Sequence, residues 1–179
     1  MDITFLGETG LKVIGRDLTI AANAKSSVKS DVRLFSTANE ESSESLVFDG
    51  PGEYEVRGAM IDGVALDGGK TAFSMVIDDI RLAYLGNMEQ ETLSDSQLQA
   101  LGAIDVLFIP LNGRKAEVTS KMVSSLEPRI VIPTDYDEAS LQAFLSETGS
   151  SGEKMDKLKI NRKDLPEDTQ RVVVLAAKD

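Results

Sequence analysis

The strongest constraint on the fold is a change of pattern near the middle of the chain, after which apolar runs alternate with segments of helical spacing. The runs within 105–110 and 130–133 are continuously apolar, which is typical of strands buried on both faces. Apolar residues at helical spacing predict helices at 93–101, 116–126 and 138–145. This alternation predicts parallel strands covered by helices, and therefore an α/β fold.

Short apolar stretches separated by polar or Gly-containing turns fill the first half of the chain. They predict strands at 3–6, 11–14, 18–22, 32–35, 46–48, 54–56, 59–66, 71–77 and 80–85. Two turns, at 7–10 and 67–70, predict hairpins because Gly tolerates the positive φ angles of tight turns. The first half is therefore predicted to be mostly β structure.

The length of 179 residues suits one domain of ordinary size with an added tail. We expect the domain at 1–148, and a linker with a C-terminal strand extension at 149–179 that packs on it. Three Ser and two Gly within 146–153 predict a flexible connection, in which Gly149 ends the preceding helix. An apolar run at 172–176 predicts the final strand.

Acidic residues dominate the charge of the chain, with 30 Asp and Glu against 19 Lys and Arg and a net charge of −11. This balance repels phosphate backbones and anionic lipid, so we expect no nucleic-acid and no membrane partner. No apolar run reaches the ~18 residues of a membrane span, and the start has no signal-peptide pattern, so we expect a cytoplasmic location. Residues 152–179 differ, with 7 bases and 6 acids. They predict either a solvated tail or a contact of 154–163 with an acidic surface.

The chain contains no His, no Cys and no Trp. Without His or Cys it cannot build a zinc site from the usual nitrogen and sulfur ligands. It also lacks the imidazole and thiol of Ser-His-Asp and Cys-His nucleophile systems, and it forms no disulfide and no iron–sulfur cluster. These absences exclude much of the common enzyme repertoire.

Five short segments follow one another in an order that is similar to a known family. They are Ile3-Thr-Phe-Leu-Gly7, Pro51-Gly-Glu-Tyr-Glu-Val56, Leu82-Ala-Tyr-Leu-Gly-Asn87, Asp105-Val-Leu-Phe-Ile-Pro110 and Ile130-Val-Ile-Pro-Thr-Asp-Tyr136. The set resembles the metallo-β-lactamase superfamily over residues 1–148, nearest to its compact lactamase-like or L-ascorbate-lactonase-like metal-dependent hydrolases. The resemblance implies a four-layer αβ/βα sandwich with mixed sheets, in which loops at one edge of the sheets bind metal.

The family's main metal motif, His-x-His-x-Asp-His, falls on residues 37–42 under this resemblance. Thr37, Asn39 and Ser42 stand where His is expected, and Glu41 stands where Asp is expected. A shift of one or two residues in this placement supplies no His either. The resemblance therefore places the metal motif at 37–42, where its His ligands are missing.

The remaining ligand positions implied by the resemblance also hold other residue types. Glu8 follows Gly7 where the branch usually has His, and no His occurs at 65–69, where the next one is expected. Asn87 replaces the bridging Asp of a Leu-Gly-Asp segment, and Asp135 replaces the last His. Every implied ligand position thus departs from the family pattern.

These replacements do not suit zinc. Thr, Ser and Asn oxygens are weak zinc ligands, so Asn39, Glu41, Asn87 and Asp135 are not expected to activate water as a binuclear zinc site does. Carboxylate and amide oxygens suit Mg²⁺ or Ca²⁺, but only two of these four residues are charged. We expect no resident cofactor, with weak Mg²⁺ or Ca²⁺ binding as the alternative.

The same positions define a candidate ligand pocket. Its residues are Glu8, Thr37, Asn39, Glu41, Ser42, Asn87, Asp135 and Tyr136. No catalytic residue is assigned, and Glu41 and Asp135 are the general-base candidates if the chain is a hydrolase. Asp135 has a second interpretation, as the N-terminal cap of the helix that follows it.

Three functions are consistent with these observations. The first is a non-catalytic member of the fold that binds a small molecule or a protein. The second is a hydrolase of lactones, esters or phosphodiesters that uses a hard cation or carboxylates alone. The third is a structural subunit that pairs with itself or with a catalytic homologue.

Overall fold

The computed structural model describes residues 1–39 and 44–178 of the chain. In chain order, its strands are β1 (Asp2–Phe5), β2 (Leu11–Ile14), β3 (Thr19–Ala22), β4 (Val32–Leu34), β5 (Leu46–Phe48), β6 (Gly52–Val56), β7 (Ala59–Leu66), β8 (Lys70–Ile77), β9 (Ile80–Tyr84), β10 (Val106–Pro110), β11 (Ile130–Thr134), β12 (Glu153–Met155), β13 (Leu158–Lys159) and β14 (Arg171–Leu175). Its helices are α1 (Asp95–Leu101), α2 (Ala116–Leu126) and α3 (Glu138–Thr148), with 3₁₀ turns at Asp67–Gly69 and Arg162–Asp164.

The described strands form two mixed sheets. One sheet has six strands in the order β13-β1-β2-β3-β4-β5, and the other has eight in the order β12-β14-β11-β10-β9-β8-β7-β6. In the first, β1 to β3 are antiparallel and β3 to β5 are parallel. In the second, β6 to β9 are antiparallel, whereas β9, β10, β11 and β14 are parallel. The predicted α/β fold, a sandwich of mixed sheets, is confirmed.

Two apolar cores hold the layers together. Ile132 of β11 and Leu34 of β4 lie in the core between the two sheets. Side chains alternate along a strand, so Val131 faces the opposite way and packs in a second core, against Met122 of α2 and Phe144 of α3. All three helices contribute to this second core and to no other cluster of the described residues.

The outer face of the six-stranded sheet is covered differently. None of the three helices in the described residues packs on it, and a connecting segment at 24–30 takes their place. Arg33 on β4 donates hydrogen bonds to the carbonyls of Ala24 and Val28 in that segment. Ala21 and Arg33 are consequently 1% and 3% exposed. Helices therefore cover one side of the sandwich and a loop covers part of the other. The second helical layer of the implied αβ/βα arrangement is not seen in the described residues.

Most of the predicted elements are present within one or two residues of the predicted bounds. The connection predicted at 146–153 is wrong at both ends, since α3 continues to Thr148 and β12 begins at Glu153. Gly149 does end α3, in the left-handed conformation (φ 63°), and its N–H donates to the carbonyls of Leu145 and Ser146. Strands β12 and β13 were not predicted.

The segment after residue 149 contributes strands to both sheets. β14 pairs with β11, and β13 pairs with β1. Lys157 lies 2.9 Å from Asp2, and Arg162 lies 3.1 Å from Asp105, so bases of 154–163 contact acids of the rest of the chain. The boundary at 148 and the cytoplasmic location remain predictions. Among the described residues, no helix combines the length and apolar character needed to cross a membrane.

Candidate functional site

Polar residues from both sheets meet at one edge of the sandwich. Asn23 follows β3, Ser36 closely follows β4, and Asn87 closely follows β9 of the other sheet. Thr9 lies in the turn between β1 and β2. Because β3 and β4 are parallel, Asn23 and Ser36 leave their sheet at the same end. This is the edge at which the resemblance implies metal ligands.

These four side chains hydrogen-bond to one another. The Asn23 amide donates to Thr9 Oγ1 at 2.9 Å, to Ser36 Oγ at 2.9 Å and to Asn87 Oδ1 at 3.3 Å. Thr9 Oγ1 donates to Asn87 Oδ1 at 2.8 Å. Backbone N–H groups of Ser36 and Asn87 donate to Asn23 Oδ1 and Ser36 Oγ at 3.0 and 3.2 Å. We call Thr9, Asn23, Ser36 and Asn87 the polar quartet.

Tyr84 anchors the quartet from the core. Its ring is fully buried, and its hydroxyl donates to the carbonyl of Thr9 at 2.9 Å. Burial raises the pKa of Tyr84, and hydrogen bonds with Thr9, Ser36 and Asn23 oppose that shift in part. The phenol therefore stays neutral and acts as a hydrogen-bond donor below the quartet.

Gly86 allows Ser36 to reach Asn87. Its φ is 54°, a left-handed value that favours glycine. A Cβ atom at this position would lie 1.8 Å from Ser36 Oγ and 2.7 Å from Ser36 Cβ. The glycine of the Leu-Gly-Asn segment therefore provides the space in which the quartet assembles.

Glu8 and Asp135 lie together beside the quartet. The backbone N–H of Asp135 donates to the carbonyl of Glu8, and the N–H of Asn112 donates to the carbonyl of Asp135. Glu8 is exposed and Asp135 is half-buried. Both have left-handed φ angles, of 50° and 44°. The structure thus brings two predicted site residues to one place and gives that place negative charge.

The interpretation of Asp135 as a helix cap is wrong, because Asp137 occupies the cap of α3. Asp137 Oδ1 accepts the backbone N–H of Ser140 at 2.7 Å, and the Ser140 hydroxyl accepts the N–H of Asp137. Hydrogen bonds from Ser140 lower the pKa of Asp137. The helix begins two residues later than that interpretation requires, which leaves Asp135 in the connection at the site.

Tyr136 faces inward from the same connection. Its hydroxyl donates to the carbonyl of Leu175 at 3.0 Å, and its ring stacks on Phe5 with 5.9 Å between centroids. Burial, followed by the nearby Glu138 carboxylate, raises the pKa of Tyr136. Its contacts join the end of β14 to β1.

The residues predicted from the family's main metal motif are only partly described. Thr37 and Asn39 are half-buried in the segment after Ser36, and the N–H of Asn39 donates to Asp49 Oδ2 at 2.8 Å. Glu41 and Ser42 lie outside the described residues. The structure therefore places Asn87, Glu8 and Asp135 at the site edge, with Thr37 and Asn39 near in sequence to Ser36.

The described donor set does not fit a zinc ion. Its oxygens come from hydroxyl and amide groups that already bond to each other, and such groups compete weakly with water for zinc. Across residues 1–39 and 44–178, no group of three or more His, Cys, Asp and Glu side chains is arranged to hold a metal. Among the described residues, Glu8 and Asp135 bring negative charge to this part of the edge.

Sequence reasoning missed Thr9, Asn23, Ser36 and Tyr84. Their contacts join positions up to 78 residues apart, so local spacing carries no sign of them. One signal was available, because Asn23 and Ser36 directly follow apolar strands that were predicted. Polar residues at strand ends of an α/β sandwich are candidates for the site even when no family motif includes them.

One further polar group at this edge has no hydrogen-bond partner among the described residues. Thr134 ends β11, is fully buried, and has an unpaired Oγ1 atom. Side chains alternate along β11, so Thr134 faces the space between the sheets, as Ile132 does. An unsatisfied buried hydroxyl costs about 1–3 kcal/mol.

Comparisons with known proteins agree with this architecture. The family model of the β-lactamase superfamily domain matches residues 2–135. No curated protein matches the chain. A structure from Thermotoga maritima, called a Zn-dependent hydrolase of the metallo-β-lactamase superfamily, is 23% identical with a TM-score of 0.85, covering 99% of both chains.

Two more distant structures share the fold. Igni18, a metallo hydrolase from Ignicoccus hospitalis, is 14% identical with a TM-score of 0.65, over 89% of this chain and 99% of its own. An isothiocyanate hydrolase from Delia radicum gut bacteria is 9% identical with a TM-score of 0.65, over 100% and 97%. At these identities the likeness concerns the fold.

Proposed function

We propose that this chain, which belongs to the β-lactamase superfamily, is a non-catalytic member that acts as a binding or interaction module. The observation that carries the proposal is the polar quartet. Asn87 and the other three residues hydrogen-bond to one another through their side-chain oxygens and the Asn23 amide, at the edge where the fold implies metal ligands. Side chains committed in this way are poor ligands, because coordination would break their hydrogen bonds.

The absence of His from the whole chain supports the same proposal. Zinc hydrolysis needs an ion that polarises the substrate and lowers the pKa of a bound water. No histidine is available to hold such an ion, in any register of the 37–42 segment. Glu8 and Asp135 could still bind a hard cation such as Mg²⁺ or Ca²⁺, but only weakly.

Charge indicates what the module would bind. Glu8 and Asp135 give this edge negative charge, within a chain whose net charge is −11. A cationic or polyhydroxyl ligand suits such an edge better than a phosphate or a carboxylate. We propose a small molecule or a protein of that character as the partner, in the cytoplasm, with self-association left to the test below.

Metal analysis and turnover test the non-catalytic part of the proposal. Protein purified without chelator is expected to carry no stoichiometric zinc, and to hydrolyse no lactone, ester or phosphodiester above the uncatalysed rate with Mg²⁺, Ca²⁺ or Zn²⁺ added. One equivalent of metal that disappears in Asn87→Ala and Asp135→Ala would overturn it. Turnover that is lost in Asp135→Asn would favour the hydrolase alternative instead.

Ligand titration tests the binding part. Spermidine and sorbitol serve as the cationic and polyhydroxyl probes, with binding followed by calorimetry. Saturable binding of either probe that weakens in Glu8→Gln and Asp135→Asn, and not in the exposed control Glu117→Gln, is the expected result. No saturation by either probe would contradict the proposed ligand class. Light scattering across concentration reports whether a second copy is the partner.

A further inference from the structure

Arg33 is a buried cation without a carboxylate partner among the described residues. It is 3% exposed, and its guanidinium donates to the carbonyls of Ala24 and Val28. Its charge also lies 5.4 Å from the centre of the Phe35 ring. Burial of a charge is costly unless an opposite charge or strong hydrogen bonds compensate for it. Two carbonyls and a ring give Arg33 only part of that compensation.

A cavity of about 720 Å³ opens beside Arg33. It lies at the amino-terminal ends of β4 and β5, the end of these strands opposite to the polar quartet. Lys29 and Arg57 also line it, Arg57 from the turn between β6 and β7. Its volume is in the range of small-molecule sites.

The hydroxyl of Ser30 is an independent sign that the cavity takes a ligand. Ser30 lines the cavity, and its Oγ atom is buried without a hydrogen-bond partner among the described residues. Its carbonyl accepts the Ser45 hydroxyl at 2.6 Å, which fixes the backbone beside it. Because the Ser30 Oγ atom is closed to solvent, an acceptor in the cavity would satisfy the Ser30 hydroxyl once the side chain rotates towards it.

The acidic groups of the cavity leave Lys29 and Arg33 uncompensated. Asp31 is committed on both oxygens, since Oδ1 accepts from Arg57 at 2.8 Å and Oδ2 accepts from the N–H of Thr19 at 2.8 Å. Glu44 and Lys29 are both exposed, so solvent screens both charges, whereas Arg33 is buried. Within a chain of net charge −11, this cavity keeps two cations with no ion-pair partner in the described residues.

We propose that this cavity binds the oxyanion group of a small molecule, a phosphate or a carboxylate. Arg33 and Lys29 supply the positive charge, and the Ser30 hydroxyl donates a hydrogen bond. Charge-assisted hydrogen bonds from Arg and Lys are the strongest that proteins offer to such groups. The site is separate from the polar quartet and does not depend on its function.

Calorimetric titration with pyrophosphate and with succinate tests the proposal and distinguishes the two sources of the oxyanion. Saturable binding of at least one probe at millimolar concentration is expected, weakened by about tenfold or more in Lys29→Gln and in Ser30→Ala. Lys25→Gln is the matched control, since Lys25 is an exposed lysine of the same segment that does not line the cavity. It is expected to leave binding within twofold.

Arg33→Gln is expected to abolish binding, with circular dichroism showing whether the variant folds. If it does not fold, Lys29→Gln and Ser30→Ala decide, because neither removes the contacts of Arg33 with Ala24 and Val28. Absence of saturation by both probes, or equal weakening in Lys25→Gln and Lys29→Gln, would overturn the proposal. Asp135→Asn is expected to leave pyrophosphate binding unchanged, which keeps this result separate from that of the polar quartet.

Discussion

Asn23 and Ser36 exchange two hydrogen bonds across the ends of adjacent parallel strands. The Asn23 amide donates to Ser36 Oγ at 2.9 Å, and the Ser36 N–H donates to Asn23 Oδ1 at 3.0 Å. Ser36 is fully buried, so its N–H depends on Asn23, whereas its hydroxyl also accepts the N–H of Asn87 at 3.2 Å. The pair joins β3 to β4 where the superfamily implies metal coordination, and it does so with neutral groups.

Removal of the Asn23 side chain is expected to destabilise the protein. Asn23→Gly leaves the buried N–H of Ser36 without a partner and should lower the free energy of unfolding by about 1–3 kcal/mol. Asn23→Ala should cost about 1–2 kcal/mol more, because the φ of 42° at this position is unfavourable for Ala. Urea denaturation measures both. A Gly variant as stable as the wild type would mean that the quartet contributes nothing to stability.

A methyl group at Gly86 is expected to disrupt the quartet sterically. Gly86→Ala should lower the free energy of unfolding by about 1–3 kcal/mol more than Gly69→Ala does. The two glycines have φ of 54° and 69°, so the backbone penalty is similar, but a Cβ at Gly69 meets nothing within 4 Å. Equal losses in the two variants, measured by urea denaturation, would show that the contact with Ser36 has no energetic consequence.

Local sequence patterns predicted the fold better than the site. The bounds of Leu11–Ile14, Ala59–Leu66 and Ala116–Leu126 were predicted without error, because their apolar spacing is visible within one element. Strand β13 has two residues and exists through its pairing with β1, more than 150 residues away in sequence. No local pattern could reveal it.

The same contrast, between patterns within one element and contacts between residues far apart in sequence, explains the result at the site. Asn87 and Asp135 were predicted through the family resemblance, whose motifs place each of them shortly after a recognisable apolar strand. The Asn23 interaction with Thr9 and Ser36 depends on two turns and on the φ of Asn23, which residue spacing does not encode. The absence of His could be read from the sequence, whereas the hydrogen bonds among Thr9, Asn23, Ser36 and Asn87 required coordinates.

The buried hydroxyl of Tyr84 makes stability depend on pH in the alkaline range. Because the pKa of Tyr84 is raised on folding, its contribution is complete below the ordinary tyrosine pKa of 10.0 and is lost as pH rises above that value. Tyr84→Phe should lose about 0.5–1.5 kcal/mol at neutral pH, with the hydrogen bond to Thr9. It should also show a shallower fall in stability above pH 10.0 than the wild type. Parallel alkaline slopes of the urea midpoint would contradict this account.

Asp105 is expected to be the acidic residue that contributes most to holding the C-terminal segment on the rest of the chain. Its side chain is 10% exposed. Its Oδ2 accepts from the N–H of Arg81 at 2.9 Å and from Arg162 at 3.1 Å, and its Oδ1 lies 3.6 Å from Arg129 Nε. Asp105→Asn keeps the shape, removes the charge and leaves donors unpaired. It should lower the free energy of unfolding by about 1–3 kcal/mol, a range that allows for the solvent exposure of both arginines.

Asp79→Asn is the matched control for Asp105→Asn. Asp79 is exposed, and it contacts Arg162 through its backbone carbonyl at 2.7 Å, which the substitution preserves. Its effect should stay within about 0.5 kcal/mol. Hydrogen exchange should show faster exchange at β13 in Asp105→Asn and not in Asp79→Asn, because Arg162 ties the segment after β13 to Asp105. Equal losses of stability in the two variants would mean that net charge, rather than the convergence of arginines on Asp105, holds this segment in place.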